Sequence, residues 1–201
     1  GAISLDLFAV LLGGATALLP AFAALCLLSA CETGSGFATS RSAPVLNGAL
    51  NVGVPPGYCV DNSAGRVGPD NAVVLMGRCQ NTGQAAPALI SVSVGQGGSA
   101  GVMIAGGAAL AAFFTSDQGR ATLSREGRAS DVQVIEVSSA DNAFLIHLID
   151  RSVGEHWRAV IGVAGRLVTI SATGTETVPL PPAESRKVLD LALAALARAN
   201  P

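Results

Sequence analysis

Four cysteines, two histidines and one glycine-rich loop are the residues of this chain whose types and spacing invite chemistry. Cys31 closes the tetrapeptide Leu28-Ser29-Ala30-Cys31, which has the form of a lipobox. It follows an apolar run in which residues 7–30 carry no charge. Small residues ahead of a cysteine leave an extended backbone that a membrane peptidase can enter. The thiol then takes up a diacylglycerol, and the freed amine is acylated as well. One acyl chain binds a bilayer only marginally, whereas two or more signals anchor stably at about 0.8 kcal/mol per buried CH₂. The expected product is a lipid-anchored chain with Cys31 as the lipidation site and residues 1–31 as its signal peptide.

Two other readings fit the same run. About 20 apolar residues suffice to span a bilayer, and ordinary cleavage would release a free domain. The cysteine at the end of the run favours the anchored form. A secretory leader combines a basic start, an apolar stretch and a small-residue cleavage site. The last two are present, while Asp6 is the only charge before Glu32, so a basic start is expected ahead of Gly1. Glu32, rather than Asp, follows the cysteine, which slightly favours the outer membrane. The expected location is the bacterial envelope, facing the periplasm.

Cys26 lies in the leader, which leaves Cys59 and Cys79 as a pair in an exported domain. Such a pair is expected to form a disulfide in an oxidising compartment. Closing a loop of that length is worth about 3 kcal/mol in the chain-entropy model. A metal or redox pair is the competing reading, but no Cys-x-x-Cys spacing exists and both histidines are far along the chain.

His147, Asp150 and His156 have the types of a general base and its orienting carboxylate. His147 stands among Phe144, Leu145, Ile146, Leu148 and Ile149, which suits a satisfied residue on a half-buried strand. His156 is expected to start a strand and to be exposed. No Gly-x-Ser-x-Gly elbow supplies a nucleophile, and no His-Glu-x-x-His spacing supplies a metal site. No catalytic residue is assigned.

The loop Gly95-Gln96-Gly97-Gly98-Ser99-Ala100 matches a dinucleotide fingerprint, in which backbone amides approach a pyrophosphate. The acidic residue such a fingerprint needs would be Glu136, about 35 residues on rather than about 20. The loop therefore reads as a plain turn before a helix, and no cofactor is expected. Arg66 and Asp70 sit in a polar loop, where they either pair with each other or meet a partner. Tyr58 and Trp157 are single residues of their kinds. Trp157 alternates with Ala159 and Ile161, which suits core packing. Net charge is −2, with no basic run, so nucleic acid is excluded as a partner.

These residues need elements to position them. Residues 32–43 are small and polar and read as a tether, which leaves 44–201 as a single domain. Residues 45–54 hold Asn47-Gly48, a two-residue hairpin signal. Short strands are expected at 57–61, 72–79 and 88–94, the last with strict alternation. A helix is expected over 108–125, weakened by Gly119 and stopped by Gly127. Four strands follow at 132–137, 143–150, 156–163 and 166–172, the last two joined across Ala164-Gly165. Pro181-Pro182 opens a final helix whose apolar face is Val188, Leu189, Ala192, Leu193 and Leu196. Short turns impose antiparallel pairing, and the class is α+β, an antiparallel sheet with flanking helices.

The segment 46–75 contains Leu46-Asn47-Gly48-Ala49, then Pro55-Pro56-Gly57-Tyr58 with Asp61, Ser63 and Arg66, then Pro69-Asp70-Asn71 with Val73-Val74. It resembles the opening of the Mog/PsbP-like family. The resemblance implies an α/β/α sandwich with a hairpin first and a helix last. That family includes a nuclear import factor, a photosystem subunit and several bacterial lipoproteins. Acidic and Gln positions of its motif are Ala72 and Val73 here. The expected function is a non-enzymatic binding or accessory module, anchored to a membrane and serving an envelope protein partner. The alternative is an envelope hydrolase with a histidine base.

Overall fold

Apolar-rich segments between residues 132 and 173 make four strands, and short turns fold them back on one another. The computed structural model describes residues 41–80 and 83–201. Cys26, Cys31, the leader and residues 32–40 of the expected tether lie outside the described residues. The elements run β1 (Ser42–Val45), β2 (Leu50–Gly53), β3 (Tyr58–Val60), β4 (Arg66–Val67), β5 (Ala72–Arg78) and β6 (Leu89–Val94). A 3-10 segment, Ser99–Ala105, leads into α1 (Gly106–Thr115) and α2 (Asp117–Leu123). A 3-10 turn (Ala129–Asp131), β7 (Val132–Ala140), β8 (Ala143–Asp150), β9 (Gly154–Val163), β10 (Arg166–Thr173) and α3 (Pro182–Ala199) complete it.

The class is α+β, as the sequence predicts. β1 and β2 form an antiparallel hairpin of their own. The main sheet has the order β3-β5-β6-β10-β9-β8-β7, with β4 also paired to β5. After β6 the chain leaves through the helices to the far edge and returns as the meander β7–β10, whose last strand closes against β6. Ala164 and Gly165, both at positive φ (50° and 75°), make the β9–β10 turn, as a right-twisting two-residue hairpin requires.

Strand side chains alternate between faces, and β8 and β9 bury both sets. On one face Leu145, Trp157, Ala159 and Ile170 pack against Val188, Leu189, Ala192 and Leu196 of α3 and against the β1–β2 hairpin. On the other, Phe144, Ile146, Leu148 and Val160 pack against Leu110, Phe114 and Leu123 of α1 and α2. The buried Ser185 hydroxyl locks α3 to the sheet: it donates to Ala172 O at 2.7 Å and accepts from Trp157 N at 2.9 Å. The hairpin lies so close to α3 that a Cβ at Gly53 would stand 2.0 Å from Ala195 O. Cys59 and Cys79 are bridged, with Cα atoms 5.2 Å apart, tying β3 to the end of β5.

Four local expectations change. Strand β1 starts at Ser42, so Ser42 and Ala43 belong to the domain rather than the tether. The first hairpin turns over four residues, 46–49, not two: Leu46, Asn47 and Gly48 all have positive φ, because Leu46 packs inward against the core. The polar loop before β5 holds the short strand β4. The helix expected over 108–125 breaks at Ser116, which is extended and caps α2 through Gly119 N.

Candidate ligand cavity

The break at Ser116 creates the cavity. Ser116 Oγ accepts from Gly119 N at 3.2 Å, a cap that starts a new helix rather than continuing the old one. Asp117 in the first turn of α2 suits the positive end of the helix dipole. The two helical stretches, Ser99–Thr115 and Asp117–Leu123, meet at 86°. Gly119 is needed at the elbow, since a Cβ there would lie 1.9 Å from Phe113 O and 2.6 Å from Phe114 Cα. No single described helix is long and apolar enough to cross a membrane.

Under this elbow, against β9 and β10, lies a cavity of about 530 Å³, within the range of small-ligand sites. Its walls are Leu110, Phe113, Phe114, Leu123, Val160 and Leu167. Its polar lining is Thr122, Thr169 and Arg158. Arg158 pairs in register with Ile146 on one side and Ser171 on the other. Its position in the alternation, between His156 and Val160, points it at the α1–α2 face. The Nε is closed off from solvent and has no hydrogen-bond partner, and no described residue forms an ion pair or hydrogen bond with the guanidinium. Burial pulls its pKa below the usual arginine value, against the attraction of Asp150. Asp150 is otherwise engaged: Oδ2 accepts from Arg125 N at 2.8 Å, and Oδ1 accepts from Ser152 N and Oγ. Burial raises the Asp150 pKa, but these hydrogen bonds outweigh it and hold the carboxyl below the ordinary value.

The two histidines do not form a catalytic pair. His147 and Trp157 are register partners on the α3 face, their rings stacked at 4.6 Å. His147 Nε2 meets Glu155 Oε1 at 2.8 Å, and the Arg186 guanidinium lies over the indole at 4.8 Å. His156 pairs with Leu148 on the opposite face. The sequence predicts an exposed residue, but His156 is 1% accessible: β9 begins two residues earlier, at Gly154, which puts position 156 inside the strand rather than at its end. Its Nδ1 donates to Gly154 O at 2.9 Å, while Nε2 has no partner. Burial pushes its pKa down to about 4. Trp157 sits in the core, as its alternation predicts.

Arg66 and Asp70 do not pair. Arg66 is exposed on β4, and Asp70 meets Arg166 instead, at 2.7 Å. Arg166 also donates to Asp70 O and Gly95 O, while Gly97 N donates to Asp70 Oδ2 at 3.1 Å. The Arg166 contact and the Gly97 amide hold the Asp70 carboxyl below its ordinary range. The glycine loop thus spends an amide on a carboxylate of the same chain, and Glu136 stands at a bulge in β7 across the sheet. Among the described residues no group of three or more His, Cys, Asp or Glu is placed to hold a metal.

Sequence reasoning missed Arg158 and the cavity. The available signal was a charged residue in the middle of His156-Trp157-Arg158-Ala159-Val160, where apolar neighbours on both sides imply burial. Comparison with protein-family models, curated proteins and solved structures gives no match.

Proposed function

We propose that this chain is a binding module of the bacterial envelope, lipid-anchored through Cys31, that holds a small apolar ligand between the α1–α2 elbow and the sheet. The observation that carries the reading is the cavity itself, with six large apolar walls and very few polar groups. Binding sites of this kind are concave and mostly apolar, with a few polar groups that fix orientation. The Cys59–Cys79 bridge supports an oxidising compartment. Kinship with the Mog/PsbP-like family rests on the motif at 46–75 and on an element order that opens with a hairpin and closes with a helix. The hydrolase alternative would have to use one histidine alone as its base, because His147 and His156 face opposite sides of the sheet.

Two measurements test this. Mass spectrometry of the mature N-terminus is expected to find an acylated Cys31; a bare thiol or an intact leader defeats the anchor. The neutral dye Nile red is expected to bind the full-length protein with enhanced fluorescence. Ala109→Trp, at an exposed position lining the cavity, is expected to abolish that signal. Dye binding that ignores this variant defeats the cavity reading.

A further inference from the structure

We infer that the cavity ligand is an amphiphile with an acyl chain and a single anionic head, the head held by Arg158. This rests on the cavity reading above and goes beyond it by fixing the ligand's charge. Arg158 is half-buried: its Nε is shut off from solvent with no partner, and its side chain lines an otherwise apolar cavity, where charge is costly unless paired. Nothing among the described residues pairs with this guanidinium, and the carboxylate that attracts it, Asp150, is hydrogen-bonded to Arg125 N and Ser152 instead. An anion entering the cavity would supply the missing partner. Arginine's planar fork matches carboxylate and phosphate oxygens two at a time. The hydroxyls of Thr122 and Thr169 line the same space. The other walls offer only carbon, so the rest of the ligand is apolar.

The route into the cavity agrees with such a ligand. Residues 95–116 carry no charge. In that stretch Val102, Ile104 and Phe113 are 52%, 88% and 38% exposed, and Val102 and Phe113 also line the cavity. Exposed apolar residues that run into an apolar cavity mark a contact surface rather than ordinary protein surface. They would let an acyl chain pass from a membrane into the cavity without crossing water.

The test is displacement of Nile red from the full-length protein by amphiphiles of one chain length, below their micelle concentrations. Laurate and dodecyl phosphate are expected to displace the dye about 10- to 100-fold more tightly than dodecanol or dodecyltrimethylammonium, the range of a charge-assisted hydrogen-bonded contact. Comparing the two anions separates a fatty acid from a phosphate-headed lipid. Measured against each variant's own dye affinity, Arg158→Met is expected to lose the preference and Arg158→Lys to retain part of it. Equal displacement by anionic, neutral and cationic heads overturns the inference and leaves the cavity reading intact. So does a preference that survives Arg158→Met. Failure of the wild-type protein to take up Nile red defeats the cavity reading itself. Should Arg158→Met fail to fold, the wild-type ranking of head groups and the Arg158→Lys variant still decide.

Discussion

Acidification should weaken this domain through His156. Its ring is 1% accessible, with Nδ1–H donated to Gly154 O and Nε2 facing no partner. A second proton would have to go onto that orphaned nitrogen, beside the positive Arg158. Burial is the dominant cause of the depressed pKa; the Gly154 bond and Asp150 oppose it, and Arg158 and His147 add to it. The folded value is about 4 against an ordinary 6.5. The unfolded chain therefore binds the proton first. Above the unfolded pKa this residue leaves stability untouched; below it stability falls, and the loss is complete once the pH drops through the folded value. At roughly 1.4 kcal/mol per unit, the full interval is worth about 3 kcal/mol. About 2 kcal/mol of that is expected between about pH 7 and pH 5, a large part of a typical total of about 5–15 kcal/mol. Urea unfolding followed by Trp157 fluorescence measures it, as a falling midpoint at constant slope. The carboxyls of Asp61, Asp70 and Asp150 are held below their ordinary value of 3.8, so their contributions are lost only in a lower window. His156→Leu should flatten the profile over the same range, whatever it does to stability at neutral pH. If wild type and His156→Leu lose stability in parallel, the buried neutral imidazole is not the cause and the assignment is wrong.

Gly119→Ala should cost about 1–3 kcal/mol, the range for overpacking. Its methyl would collide with the Phe113 carbonyl and the Phe114 backbone. Thermal unfolding reads the loss, and Nile red binding should fall with it, because the elbow frames the cavity. Removing the disulfide with Cys59→Ala and Cys79→Ala should lower stability by about 3 kcal/mol. An unchanged urea midpoint would mean that the bridge closes a loop already ordered in the unfolded chain.

What the sequence disclosed, and what it withheld, follows from the range of the forces involved. Strand β6 was readable because its Ile90, Val92 and Val94 alternate with serines, so local pattern and burial agree. The Ala164-Gly165 turn and the proline start of α3 were readable for the same reason: the backbone requirement sits in the residues themselves. The break at Ser116 was not. Serine and Gly119 only permit a break, and the pull of Phe114 and Leu123 toward the same sheet face decides it. The exposure of His156 was misread because both faces of β9 are buried, which erases the alternation that normally separates inside from outside. Asp70 was read with its neighbour in sequence, Arg66, whereas its true partner is 96 residues away. Ion pairs between distant strands leave no local trace.

The cavity is the place where the demands of stability and binding part company. An apolar residue at position 158 would need no partner, and replacing buried charges with apolar groups of similar volume often stabilises a fold. Arg158 makes no ion pair or hydrogen bond among the described residues, whereas Arg166 and Arg186 are paired with Asp70 and Asp190. The same holds for the elbow above it. A continuous helix over 106–123 would avoid an extra pair of helix ends, yet Ser116 and Gly119 divide it and raise an apolar roof over the Arg158 side chain. Two independent departures from the most stable local solution, meeting at one cavity, are what a site shaped for a ligand's chain and head group would require. A packing accident would explain either of them, but not their coincidence.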